Sequence, residues 1–200
     1  MTSFLGRDWQ DEGLLEDHEE VFARLLQKLN LKDHEDIAAF LKPSTSHFHD
    51  PFLLHSMDRA VERILLAIEK QERIIVFGDF DTDGIASTVI LADGIKNLGG
   101  QVSYRIPDRN RDSHGLKRHH IEEMATKKVS LVITGDCGTN DRAEIDYAKT
   151  LGIDVIVSDH HESRAEDFPS AAVAVINPKL DQCAYPEKNL AGAGVAFKLI

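Results

Sequence analysis

Three acidic residues occur within five positions of this sequence. Asp79, Asp81 and Asp83 lie in the heptapeptide GDFDTDG, each separated by one residue. Carboxylates this close repel one another and raise each other's pKa values unless a cation neutralises them, and hard divalent cations prefer oxygen ligands. The spacing therefore indicates a divalent metal site, and the alternative is an acidic surface turn in which one aspartate caps a helix.

Two further segments supply metal-ligand types. Asp136 stands between two glycines in TGDCGTN, and Asp159, His160 and His161 are adjacent in SDHHE. Carboxylate and neutral imidazole together suit manganese-like cations, and an aspartate beside a histidine can hold the ring in one tautomer. Taken singly, each segment has an alternative: Asp136 or Asn140 as a helix cap, and a histidine pair on a solvated loop.

The surrounding sequence predicts that each of these segments follows a β-strand. Strands alternating with helices over short connections are typical of a parallel, doubly wound α/β sheet, in which ligands collect beyond the carboxyl ends of the strands. We therefore expect about five strands flanked by helices, with a two-metal phosphoesterase site at one edge. The predicted strands are 73–77, 102–106, 129–134, 153–157 and 172–176, and the predicted helices are 85–98, 117–127, 142–151 and 191–200.

The first 70 residues have a different pattern of apolar residues. Apolar residues at helical spacing predict helices over 14–29, 33–41 and 57–70. We therefore expect an N-terminal helical segment, residues 1–70, followed by a catalytic domain, residues 71–200.

Bulk properties restrict the class of protein. The net charge of −11 argues against a surface that binds nucleic acid everywhere, but it is compatible with a local basic track. No apolar run approaches the roughly 18–20 residues that span a bilayer, and the N-terminus has no basic stretch followed by an apolar one. Two cysteines are too few for a disulfide framework. A cytoplasmic location without membrane contact is the expectation.

One loop is basic in this acidic chain. The stretch RIPDRNRDSHGLKR leaves a predicted strand and contains Arg109, Arg111 and His114, which could hold phosphate oxygens. The alternative is a polar loop that pairs its own acidic and basic residues. The adjacent histidines His119 and His120 fall within a predicted helix and are interpreted as structural.

The order of GDFDTDG, ITGDCGTN and VSDHH resembles the DHH phosphoesterase superfamily. The stretches FHDPFLLHSMDRAVERILLAI, RIPDR…HGL and INPKLDQ…YPEKNLAGAGVAFKLI resemble, more narrowly, the RecJ family of 5′-to-3′ exonucleases specific for single-stranded DNA. The resemblance covers about residues 40–200. It implies a nuclease core of DNA repair and recombination that uses two Mn²⁺ or Mg²⁺ ions, with single-strand-binding protein or a helicase as candidate partners.

The resemblance also implies the metal ligands. Asp81 and Asp83 are metal ligands by this likeness, and Asp79 is a further ligand or a support. Asp136 is the carboxylate that bridges the two metals, and His160 is a ligand of the second metal.

Contacts to the substrate are implied in the same way. His161 contacts the scissile phosphate, so that it acts in catalysis with Asp136 and His160, and Asp159 orients its neighbours. The basic loop holds the DNA backbone through Arg109 and His114, with Arg111 as a further candidate.

The sequence departs from the family pattern in two places. The loop has Asp-Ser-His-Gly at 112–115, where the family has an acidic residue followed by Gly-Tyr-Gly. A further aspartate ligand, which the family supplies from a motif after the Ala-Gly-Ala-Gly helix, has no counterpart here. The sequence is therefore expected to be an N-terminal fragment with weak activity or none.

Two alternative functions remain open. One is a superfamily phosphoesterase that acts on short oligonucleotides or cyclic dinucleotides, whose first motif begins with a histidine that Phe77 and Gly78 do not supply. The other is a non-catalytic replication scaffold, whose relatives lose the motif ligands that this chain retains.

Overall fold

The computed structural model describes residues 18–200, with side chains from residue 21 onward. Contacts divide the chain into one unit that ends at Phe48 and a second unit, His49–Ile200. The first unit contains helix α1 (His18–Lys28) and helix α2 (His34–Leu41), close to two of the predicted helices. The start of the predicted helix 14–29, and the N-terminus inspected for a leader, lie outside the described residues.

The second unit is a parallel α/β sheet with helices on both sides, as predicted. Its strand order is β2-β1-β3-β4-β5 and every neighbouring pair is parallel. The elements are α3 (Met57–Glu69), β1 (Arg73–Gly78), α4 (Thr82–Asn97), β2 (Gln101–Arg105), α5 (Arg118–Thr126), β3 (Leu131–Gly135), α6 (Arg142–Thr150), β4 (Asp154–Ser158), β5 (Ala174–Ile176) and α7 (Gly192–Leu199), with two short 3₁₀ turns.

Helix α3 packs on β5 and α7, within the same unit as the sheet. The division into domains at residue 70 stays a prediction. Among the described residues, no helix has the length and apolar character that crossing a membrane requires.

The central strands are apolar because helices cover both of their faces. Every residue of β3 is buried, as are the last five residues of β1. Val76, Phe77 and Ile133 are completely buried, which is the burial expected for parallel strands covered by helices. This rigid centre fixes where the polar residues that follow the strands can lie.

The three motif segments continue the sheet ladder by one residue each. Gly78 pairs with Gly135 at the last position of β1 and β3. Just beyond, the amide of Asp79 donates to Gly135 O at 3.1 Å, that of Asp136 to Ser158 O at 3.0 Å, and that of Asp159 to Ile176 O at 3.0 Å. The three aspartates therefore stand side by side along one edge of the sheet.

This edge includes the point where the strand order reverses. From β1, the chain runs first to β2 on one side and then to β3 on the other. In open α/β sheets the connections diverge at such a point, and ligands bind in the crevice between them. The first two motif segments follow β1 and β3, the two strands at this point.

Candidate metal centre

Asp136 is the centre of the acidic group. Its side chain is 2% exposed, and its backbone adopts φ = +64°, a left-handed conformation that a non-glycine residue rarely takes. The buried Oδ1 atom makes no hydrogen bond with any described residue. Burial, followed by the charges of Asp83 and Asp81, raises the pKa of Asp136 to about 8. A carboxyl group in this position favours a proton or a metal cation as a partner.

A first group of possible ligands surrounds one side of Asp136. Asp79, Asp81 and Asp136 each present an oxygen atom, and these atoms lie within 4.8 Å of one another. Asp81 also caps α4, because its Oδ1 accepts the Gly84 amide at 2.9 Å. This hydrogen bond is the main reason why the pKa of Asp81 is lowered. The capping and metal-binding interpretations of this motif are therefore compatible, since the second oxygen of Asp81 is not used by the cap.

A second group lies on the other side of Asp136. Asp136, His160 and His161 also present ligand atoms within 4.8 Å of one another. The Nε2 atom of His160 lies 3.0 Å from Asp136 Oδ1 and 3.5 Å from Asp83 Oδ2. Asp136 therefore belongs to both groups, which is the arrangement that two cations sharing one carboxylate require.

Asp83 connects the centre to the start of α7. Its Oδ2 accepts the Gly192 amide at 2.6 Å, and its Oδ1 accepts the Ala193 amide at 2.8 Å. These amides belong to the first turn of α7, whose unpaired N–H groups favour an anionic partner. The contact was not expected from the sequence, because the motif and the helix are far apart along the chain.

Asp159 organises the loop that carries the two histidines. Its side chain is buried and accepts the amides of Thr139 at 2.9 Å and His160 at 2.7 Å, as well as His161 Nδ1 at 2.7 Å. Hydrogen bonding to Asp159 raises the pKa of His161 to about 9. His161 is then protonated at neutral pH, which suits contact with a phosphate better than metal ligation.

Asn177, at the end of β5, is a site residue that sequence reasoning missed. Its side-chain amide donates to Thr139 Oγ1 at 2.9 Å and to the His161 carbonyl oxygen at 2.8 Å. It thereby joins the loops that follow β3 and β4. Asn177 directly follows a predicted strand, but its complete burial is visible only in the structure.

The Asp159 network gives a stability prediction. Burial alone would raise the pKa of Asp159, but hydrogen bonds from His161 and Thr139 outweigh it and lower the pKa. Asp159→Asn is expected to reduce the free energy of unfolding at pH 7 by about 2–4 kcal/mol, because an amide cannot accept all of these hydrogen bonds. Urea unfolding measures the change.

Asp167→Asn is the matched control, because the Asp167 side chain is 42% exposed and lies 3.8 Å from Arg164. Its effect should stay within about 0.5 kcal/mol. The pKa of Asp159 is lowered on folding, so its contribution is present above its ordinary pKa and disappears as the pH falls through the lowered one. Equal losses in both variants at pH 7 would contradict this account.

The basic loop contributes unequally to the site. His114 Nδ1 lies 2.5 Å from Asp79 Oδ2, and its ring contacts Phe80 with 4.4 Å between centroids. The Arg109 guanidinium carbon is 5.1 Å from the centroid of the Phe80 ring. Arg111 instead lies 3.9 Å from Asp108 in its own loop. The structure therefore brings Arg109 and His114 to the acidic motif and leaves Arg111 in a local ion pair.

The His119–His120 pair forms a separate polar group with Asp112. The carboxylate lies 3.2 Å from His119 Nε2 and 3.5 Å from His120 Nε2. The Lys117 amide donates to His120 Nδ1, so the proton of a neutral His120 ring is on Nε2, which lies near Asp112 but makes no hydrogen bond with a described residue. This group is therefore interpreted as a network that holds the loop to α5, and not as a second metal centre.

Comparison with known proteins agrees with the fold and the motifs. Residues 73–200 match the N-terminal domain of the DHH family, which is more than half of the chain. The protein therefore belongs to the DHH family.

Several relatives are named as the single-stranded-DNA-specific exonuclease RecJ. The RecJ of Bacillus subtilis is 40% identical over 177 residues, which are 88% of this chain and 22% of the relative. The RecJ of Escherichia coli is 40% identical over 148 residues, which are 74% of this chain and 25% of the relative. The chain thus spans about a quarter of the length of these relatives, and the predicted resemblance to RecJ is confirmed.

Two solved structures share the fold. A crystal structure of exonuclease RecJ bound to manganese matches with a TM-score of 0.66 and 32% identity, over 73% of this chain and 36% of that chain. A RecJ from Thermus thermophilus in complex with Mn²⁺ matches with a TM-score of 0.63 and 26% identity, over 93% of this chain and 27% of that chain.

Proposed function

We propose that this protein is the nuclease core of an exonuclease that hydrolyses single-stranded DNA from its 5′ end with two Mn²⁺ or Mg²⁺ ions. The observation that carries the proposal is Asp136, a buried carboxylate that belongs to two ligand groups at once. Its buried Oδ1 atom makes no hydrogen bond with a described residue, although His160 Nε2 lies 3.0 Å away, and this atom and the raised pKa indicate a place that suits cations.

The side chains of this centre fit two such ions. One ion would be held by Asp81 and Asp136 with Asp79 nearby, and the other by Asp83, Asp136 and His160. The chemistry that a pair of this kind supplies is activation of a water molecule and neutralisation of charge on the phosphate oxygens. Carboxylates and imidazole are the donors that Mn²⁺ and Mg²⁺ accept in proteins.

The protein's own residues orient the substrate. His161 is held by Asp159 in a protonated state and stands beside the shared carboxylate, so that it can contact the scissile phosphate. Arg109 is exposed and lies over Phe80, at the same rim, where a guanidinium can fork onto backbone phosphates. The acidic surface elsewhere restricts DNA to this rim.

The biological setting is part of the proposal. The relatives are named as exonucleases specific for single-stranded DNA. A role in DNA repair and recombination follows, with single-strand-binding protein or a helicase as candidate partners. The cytoplasm stays the expected location.

Metal binding and cleavage test the proposal together. Calorimetry with Mn²⁺ should give about two bound ions for this chain, and the release of mononucleotides from a 5′-labelled single strand should be weak at most and should depend on Mn²⁺. Asp81→Asn should reduce the rate by at least about 100-fold, because it removes a charged ligand. Asp93→Asn, an exposed aspartate on α4, is the matched control and should leave both quantities unchanged.

The alternative functions predict different results. Preferential hydrolysis of a dinucleotide or a cyclic dinucleotide would favour the short-substrate phosphoesterase. Failure of the chain to bind Mn²⁺ would favour the scaffold and would overturn the proposed centre.

A further inference from the structure

One aromatic side chain at the rim of the metal centre is exposed yet held firmly. The His114 side chain is 69% exposed to solvent. Its Nδ1 atom is fixed by the buried carboxylate of Asp79 at 2.5 Å, and its ring rests on Phe80 with 4.4 Å between centroids and 42° between planes. Solvent alone would not hold an exposed imidazole in one position, whereas these two contacts do.

Asp79 fixes both partners of this stack. Its Oδ2 holds the imidazole of His114, and its Oδ1 accepts the backbone amide of Phe80 at 2.8 Å. The carboxylate is itself almost completely buried. Both of its oxygen atoms therefore take part in placing the two rings.

A second side chain also contacts Phe80. The Arg109 guanidinium lies 5.1 Å from the centroid of the Phe80 ring, within range of a cation–π interaction. Phe80 thus has contacts with both Arg109 and His114. His114 is exposed and lies next to the acidic motif, whereas Phe80 is half-buried.

We propose that His114, backed by Phe80 and fixed by Asp79, is a stacking platform for an unpaired nucleobase at the metal centre. This inference rests on the proposed function and gives His114 a different role from contact with the DNA backbone. A planar ring stacks on the face of any base, so the platform selects for unpaired bases without selecting a sequence. Bases inside a duplex are already stacked and cannot use it.

The platform also gives the residues around the metal centre different ligands. Arg109 and His161 would bind phosphates of the DNA backbone, whereas the ring of His114 would bind the base. Asp79 then acts as a positioning residue, because its effect on DNA passes through His114 and Phe80.

A fluorescent base tests the platform directly. The probe is a single strand with 2-aminopurine at its 5′ end and a phosphorothioate at the first linkage, bound in Mn²⁺. The base should be quenched by stacking on the parent chain, and His114→Ala should abolish the quenching. Strand affinity, measured by anisotropy, should fall between about five-fold and a hundred-fold.

Two variants separate stacking from other effects. His114→Tyr keeps an aromatic ring and should retain most of the quenching, which contact with a phosphate alone would not produce. His55→Ala removes an exposed histidine outside the site and should change neither signal. Circular dichroism of each variant checks that the fold is kept.

The outcomes distinguish this inference from the proposed function. If the parent binds the strand and His114→Ala weakens binding without changing the quenching, the platform is wrong and the nuclease proposal stands. If His114→Tyr loses the quenching as completely as His114→Ala, the platform is also wrong. If the parent chain binds no single strand at all, both proposals fail.

Discussion

Asp136→Asn is expected to stabilise the metal-free protein and to abolish tight binding of Mn²⁺. The wild-type carboxyl group has its pKa raised to about 8 by burial and by the charges of Asp83 and Asp81. Asparagine has nearly the same shape, carries no charge and tolerates the left-handed backbone at φ = +64°. The variant therefore loses the charge repulsion with Asp81 and Asp83. It also loses the carboxylate that the two cations would share.

The stability of the metal-free protein depends on pH because the pKa of Asp136 is raised on folding. In the metal-free protein, the folded state retains a proton that the unfolded chain releases near pH 4, so stability falls as the pH rises from about 4 to about 8. One pKa unit corresponds to about 1.4 kcal/mol, and a gain on the order of 3 kcal/mol is expected for Asp136→Asn at pH 8. At pH 4 the two proteins should be nearly equal.

Thermal or urea unfolding in a chelating buffer, at several pH values, measures this difference. Asp93→Asn is again the matched control and should show no such pH-dependent gain. Calorimetry with Mn²⁺ supplies the second half of the prediction. A variant that is destabilised at every pH, or that still binds two ions tightly, would show that Asp136 is not the strained, shared carboxylate described above.

Gly192→Ala should disrupt the centre from outside the motifs. A Cβ atom at this position would lie 2.6 Å from Asp136 Oδ1 and 2.8 Å from its Cβ and Cγ atoms, which is closer than non-bonded contacts allow. The helix must then move away, and Asp83 loses the amides of Gly192 and Ala193. We expect a loss of about 1–3 kcal/mol in stability and at least about ten-fold weaker Mn²⁺ binding.

Gly194→Ala is the matched control, since both glycines lie in α7. A Cβ atom there would lie 3.2 Å from the flexible Cδ2 atom of Leu190. Alanine favours a helix over glycine by about 1 kcal/mol, so this variant should be neutral or more stable. In an Asp136→Gly background, Gly192→Ala should cost much less, because the clashing side chain is gone. An equal loss of stability in both backgrounds would show that the clash with the Asp136 side chain is not the cause.

The sheet was largely predictable because its strands are covered on both faces. Such strands have near-continuous runs of apolar residues, and the predicted β1, β3 and β4 differ from the observed ones by at most two residues at either end. The prediction for β5 began at residue 172, whereas the strand begins at Ala174. The Val173 amide already donates to Val155 O at 2.8 Å, so the polypeptide is aligned with β4 before regular pairing begins.

The grouping of motif residues was predictable for a different reason. Carboxyl ends of parallel strands meet at one edge, so Asp79, Asp136 and Asp159 had to be neighbours once the strands were located. The left-handed backbone of Asp136 and the bridge made by Asn177 were not predictable, because both depend on how the loops pack against each other. The same is true of the two amides that Asp83 accepts.

The two hydrogen bonds that Asp83 accepts from α7 affect the order in which the protein folds. The two hydrogen bonds join residues that are 109 and 110 positions apart. Loop-closure entropy opposes contacts of such long range until the intervening chain is ordered, so they form late. During synthesis, a nascent chain that has emerged only as far as the loop after β4 already carries Asp83, Asp136 and His160. The two α7 amides that donate to Asp83 have not yet been made. Gain of Mn²⁺ affinity would therefore report the docking of α7 on Asp83.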